Sequence, residues 1–283
     1  MPSQPPTEEG GPRPMTPFHA MGWASSSVLV FVLLVGVTVS LRPGAKHDVI
    51  NMFVCQAAGI VGCLFLLLRV HAPERSIRDV IGARATHAAF LPLGVSLGLA
   101  MYVPTGALYA AIERRWPEPK DLADPFVDAL TSDSRAVQIS VALCAVVAAP
   151  VLEELFYRGA LFSPLRRRSG ALTVIVVTGV LFALAHLTPQ KLLPLALLGV
   201  ALGVLRSASG SIFPCVLTHA TFNAWPTWSL LTAGRPATDA PEEPIPWAIA
   251  AASTVAAVAL LLAAHRLGLR SESAGRARAA DLE

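Results

Sequence analysis

Residues 145–162 read AVVAAPVLEELFYRGALF, an apolar run long enough to cross a bilayer that is interrupted by Glu153, Glu154 and Arg158. A charge near the bilayer centre costs at least about 2.5–3.5 kcal/mol and is tolerated only where it faces protein or water. The run therefore predicts a membrane helix that turns a polar face inward, and such a face needs other helices around it. Glu154 and Arg158 stand four apart and pair on one side of a helix. Glu153 lies about 100° further round and finds no cation in its own turn, the setting in which a carboxylate can serve as a general base. The plainer reading of the same residues is a solvated helix end, with Arg166, Arg167 and Arg168 as flanking charge.

The rest of the chain supplies the helices. Of 283 residues 54% are apolar and 14% charged, against about 25% charged in soluble domains. Apolar segments near 23–41, 50–70, 88–112, 138–165, 171–187, 191–205, 211–231 and 246–267 predict an all-α integral membrane protein, a bundle of about eight transmembrane helices. The sixth is short, with Pro194 near its start, and reads equally as re-entrant. The domain organisation expected is a disordered cytoplasmic tail over 1–22, one polytopic membrane domain over 23–267 with its core at about 138–231, and a disordered tail over 268–283. The long connection 113–137, acidic and proline-containing, has room for a short surface helix. Pro150 should kink the fourth segment and free a backbone carbonyl beside Glu153.

The first segment is too long for a signal-peptide core and lacks an A-x-A-like cleavage site, so it reads as a retained anchor. Arginines such as Arg75, Arg78, Arg84, Arg166 and Arg206 favour one side of an eight-helix chain, which places both termini in the cytoplasm. A net charge of +3, spread over short loops, is too small to point to a nucleic-acid partner, and none is expected. Cys55, Cys63, Cys144 and Cys215 lie in apolar runs without a CxxC pair and read as core residues.

Two further segments carry polar residues at membrane depth. One ends in His186, with Phe182 a turn before it on the same face; the other carries His219 and Asn223 at i,i+4. A rise of about 1.5 Å per residue puts Glu153, His186 and His219 within roughly 10 Å of one another in depth. A carboxylate, two imidazoles and an amide can deprotonate water and stabilise an oxyanion, which is peptide-bond hydrolysis. The set Glu153, His186 and His219 can equally hold a divalent metal such as Zn²⁺ with an open fourth position. Both chemistries stay open, because the HExxH pattern of soluble zinc proteases is absent. No GxSxG offers a serine route, and Ser163 and Ser211 read as helix-end or packing residues.

EELFYR (153–158), FALAH (182–186) and HATFN (219–223) match in order and spacing the EExxxR, FxxxH and HxxxN motifs. In these motifs the chain resembles the CPBP family of intramembrane proteases, which includes the CAAX prenyl endopeptidases and bacterial Abi-type relatives. The resemblance covers about 140–228 and implies that family's eight-helix core. It implies that Glu153 and His186 activate the attacking water, that His219 and Asn223 form the oxyanion site, and that Glu154, Arg158 and Phe182 support them. The family is commonly described as metalloproteases, with a metal-free glutamate mechanism also proposed.

The function expected is an intramembrane endopeptidase in the bacterial inner membrane, suggested by an Ala-, Pro- and Arg-rich composition. Its partners are the lipid bilayer and a protein or peptide substrate cut near C-terminal tails or anchors. The alternative is a non-catalytic membrane immunity or partner-binding protein of the same fold, and a proton-relaying transporter comes third.

Overall fold

The computed structural model describes residues 12–118, 124–234 and 245–280, and among them the regular structure is entirely helical. Thr16 opens α1 (Pro17–Leu41) by accepting from the His19 N–H, with Pro17 at the first helical position. Asp48 does the same for α2 (Val49–His71) through the Asn51 N–H. A short α3 (Ile77–Ile81) ends at Gly82 in the left-handed region and leads to α4 (Phe90–Arg115). The expected surface helix of the long connection is α5 (Pro125–Leu130), whose Leu130 is buried beside Val49 and Val141. Beyond it come α6 (Arg135–Arg166), α7 (Ala171–Leu184), α8 (Pro189–Ser209), α9 (Phe213–Ala233) and α10 (Trp247–Ala280).

Six of these helices, α1, α2, α4, α6, α8 and α10, are long and apolar enough to cross a membrane. The two other expected spans fall short for reasons tied to what they carry. With 14 residues α7 reaches only about 21 Å, and α9 has the length, but Thr218, His219 and Asn223 dilute its apolar character. The sixth segment, expected to be short, is instead a 21-residue helix, because Pro189 starts it earlier and Gly210 stops it later than the hydropathy suggests. The fifth is the short one.

Two boundaries differ from expectation. Helix α1 reaches back into the region read as a tail, because the Thr16–Pro17 cap nucleates it before the apolar run begins. Helix α10 continues to Ala280, since the residues after Gly268 are mostly Ala, Arg, Leu and Glu, which favour helix, and include no proline. Residues 1–11 and 281–283 lie outside the described part.

Packing is tightest around α6, α7 and α8. Phe156, Leu161, Phe182, Leu198 and Leu202 are fully enclosed, while α1 turns Leu29, Leu33 and Val37 outward, as a lipid-facing helix does. Helices α7 and α8 meet backbone to backbone at Gly179 and Gly199, where a Cβ on Gly199 would lie 2.7 Å from the Gly179 Cα. Such small-residue crossings are how membrane helices approach closely. The contact brings a carbonyl of α8 within reach of α6, and the site depends on it.

Candidate active site

The pair Glu153–Glu154 sits in a six-residue α-helical stretch of α6, Ala149–Glu154, with a π-helical segment on each side, Cys144–Ala148 and Leu155–Leu161. The first has a local cause. The Ala149 N–H reaches back five residues to the Cys144 carbonyl, and in that register the donor for Ala145 would be residue 150, a proline without an N–H. The freed carbonyl expected from Pro150 is thus that of Ala145. It is not left for water: Asn223 Nδ2 of α9 donates to it at 2.9 Å. Asn223 therefore ties α9 to the irregular turn of α6 and keeps one further N–H for another acceptor.

The two glutamates look in different directions. Glu154 is fully buried; its Oε1 accepts from Arg158 Nη1 at 2.9 Å and lies 3.0 Å from His219 Nδ1. Arg158, also fully buried, donates from Nη2 to the Gly199 carbonyl at 2.8 Å, the group delivered by the glycine crossing of α7 and α8. Its guanidinium carbon stands 4.8 Å from the centre of the Phe182 ring, a cation–π contact in a dry setting. Buried charges demand such pairing. The expected Glu154–Arg158 pair is present.

Glu153, without a cation as expected, has an amide instead. Its Oε1 accepts from Gln56 Nε2 of α2 at 2.9 Å, and its Oε2 lies 3.9 Å from His219 Nε2. Gln56 escaped the motif reading. A lone amide inside the 50–70 apolar run is the signal that could have singled it out.

His186 follows the last turn of α7. Its Nδ1 is 2.9 Å from the Phe182 carbonyl, which leaves Nε2 to the outside. The next residue, Leu187, adopts φ 56°, a left-handed conformation that costs a non-glycine residue about 1–2 kcal/mol. Strain at that position reverses the chain immediately behind the imidazole. Phe182 stands between the two histidines, its ring centre 4.9 Å from His186 and 5.4 Å from His219, edge-on to both.

Glu153, Gln56, Tyr157 and His186 share the wall of a cavity of about 290 Å³ that is otherwise mostly apolar, Phe31 and Phe53 among its lining. An open apolar cavity with a few convergent polar groups is the usual form of a ligand site. The structure thus brings Glu153, Glu154, Arg158, Phe182, His186, His219 and Asn223 into one neighbourhood. Of these, Glu153 and His186 line the cavity, His219 and Glu154 lie behind it, and Asn223 is engaged with backbone.

As a metal set the same residues are incomplete. His219 Nε2 and Glu153 Oε2 can straddle an ion, but among the described residues no three His, Cys, Asp or Glu side chains converge as ligands. A catalytic zinc takes three protein ligands, so Glu153, His186 and His219 in this arrangement do not make that site.

No curated protein and no solved structure gives a significant match to the chain. Residues 135–225, from the start of α6 to Trp225 of α9, match the family described as type II CAAX prenyl endopeptidase Rce1-like. Every motif residue, from Glu153 to Asn223, falls within that stretch. Glu153, Tyr157 and His186 of the cavity wall lie within the matched region and Gln56 outside it, and over residues 135–225 the chain is similar to the Rce1-like family of CAAX prenyl endopeptidases.

Proposed function

We propose that the protein is an intramembrane endopeptidase that hydrolyses peptide bonds in membrane-associated proteins or peptides, near C-terminal tails or anchors. The observation that carries this reading is Glu153: a buried carboxylate on a cavity wall, held by an amide and not a cation. A water in the cavity loses a proton to Glu153, with His186 Nε2 sharing the work of holding it, and attacks the scissile carbonyl; when the tetrahedral intermediate collapses, the C–N bond breaks and Glu153 gives that proton to the leaving amine. The oxyanion is met by His219 and by the remaining Asn223 N–H. Glu154 fixes His219 by its Nδ1, as the aspartate of a Ser-His-Asp triad orients its histidine. Arg158 and Phe182 hold Glu154 and the two imidazoles in place.

In this reading all eight apolar segments belong to the membrane bundle, and both termini face the cytoplasm of a bacterial cell. None of the steps needs a resident metal, so cleavage is expected to persist in chelator-treated membranes. Loss that zinc restores would return Glu153, His186 and His219 to a ligand role.

The decisive experiment compares membrane proteomes of cells with the wild-type protein and with Glu153→Ala at matched expression, by sequencing protein C-termini and released peptides. Termini present only with wild type are expected. Identical termini in the two strains would overturn the reading and leave a binding or immunity role for the same polar network.

A further inference from the structure

A second, polar cavity of about 380 Å³ lies where the α3 turn, α6 and α8 meet. Arg75, Arg84, Arg166, Arg167 and Arg206 line it, with Asp79 as the one carboxylate. Arginines near a membrane surface need no special explanation when they are solvated. Arg206 is different, because only 5% of it is exposed.

Arg206 is held on three sides. Its Nε donates to the Arg158 carbonyl at 2.9 Å, and its guanidinium carbon lies 5.3 Å from the Phe162 ring centre. The third side is Gly82, which has φ 71° and no Cβ; a Cβ there would lie 2.7 Å from the guanidinium carbon. Glycine is thus required at residue 82 twice over, by conformation and by the arginine against it. Arg84 is fixed in turn, donating from Nε to the Gly210 carbonyl at 2.8 Å. The Nη groups of Arg206 have no hydrogen-bond partner among the described residues and open onto the cavity. A buried guanidinium with a preset plane, set beside Arg75, Arg84 and Arg166, offers its Nη donors to an anion. Its fork geometry matches the oxygens of a phosphate group.

We propose that this cavity binds a phosphate group, supplied by the headgroup of an anionic phospholipid in the leaflet on which the cavity opens. The site is separate from Glu153 and does not rest on the proteolytic reading. It touches the network behind Glu153 at one point, the Arg158 backbone, through Arg206.

The full-length protein, purified in detergent, is tested for lipid retention by native mass spectrometry and for thermal stabilisation by added phosphatidylglycerol, phosphatidylcholine or inorganic phosphate. Phosphatidylglycerol is expected to be retained about tenfold or more over phosphatidylcholine, and Arg206→Gln and the double variant Arg75→Gln/Arg84→Gln to abolish that preference. Should Arg206→Gln fail to fold, the double variant decides, because both its side chains are exposed. Stabilisation by inorganic phosphate equal to that by phosphatidylglycerol, and lost in the variants, would overturn the lipid source and leave a free phosphate as ligand. Equal retention of the two lipids, or undiminished preference in the double variant, would overturn the site itself.

Discussion

The two flanks of α6 differ as sharply as two parts of one helix can. On the flank facing α7, α8 and α9, Glu154, Arg158, the Gly199 carbonyl and His219 form a closed set in which both charges are fully buried and paired. On the flank facing α2 and the cavity, Glu153 has one amide donor and a histidine at 3.9 Å, with open space beside it. Adjacent residues in sequence thus occupy a structural and a reactive environment. The difference teaches that the doubled glutamate divides two tasks: one carboxylate holds the helices, and the freedom of the other depends on it.

Each flank can be tried separately. Glu153→Gln should reduce cleavage by about 10²-fold or more, the range for removing a general base, while the thermal midpoint in detergent stays near wild type. Equal loss of stability would erase the distinction. Arg158→Ala should do the reverse of that pattern and destabilise by about 3–5 kcal/mol, because it strands the Glu154 charge; the paired change Glu154→Leu/Arg158→Met should regain much of the stability but no activity. Unfolding of the three proteins side by side checks this. Gly199→Ala strikes the closed flank from behind, pushing against the Gly179 backbone, and should cost about 1–3 kcal/mol, read as a lowered midpoint.

The smallest effect lies outside both flanks. The Asn51 N–H, first, and then Arg42 hold the Asp48 carboxyl below its usual value. Its contribution is therefore present above the unfolded value, near pH 4, and fades as pH falls through the lower folded one. Asp48→Ala should cost about 1 kcal/mol at neutral pH, since the Arg42 pair is exposed and the Asn51 N–H loses its cap, and less as pH falls through the folded value. A midpoint series over pH measures it.

Much of this was legible in the residues. Apolar runs mark all the long helices, and spacing alone gives the Glu154–Arg158 pair and the shared face of His219 and Asn223. Gln56 was missed because its partner lies on another helix, 97 residues away. The Gly199 carbonyl and the Ala145–Asn223 bond were missed because they depend on how closely helices cross and on which backbone groups a proline strands. The length of α8 was underestimated because its end signals, Pro189 at the first helical position and Gly210 at the C-cap, are backbone features that hydropathy does not weigh. A three-ligand metal set, an option from residue types, is not assembled among the described residues.

The π-helical segments around the glutamates bear on how such a chain can change over generations. A π turn holds one residue more than an α turn, so each acts as an absorbed insertion that resets the rotation of everything beyond it by about 100°. Removing a single residue from Cys144–Ala148 would let that turn relax to α and swing Glu153 away from the cavity relative to the first half of α6. The same deletion would shorten the helix by only about 1.5 Å. A substitution here leaves that rotation as it is, whereas loss or gain of a single residue turns everything beyond it.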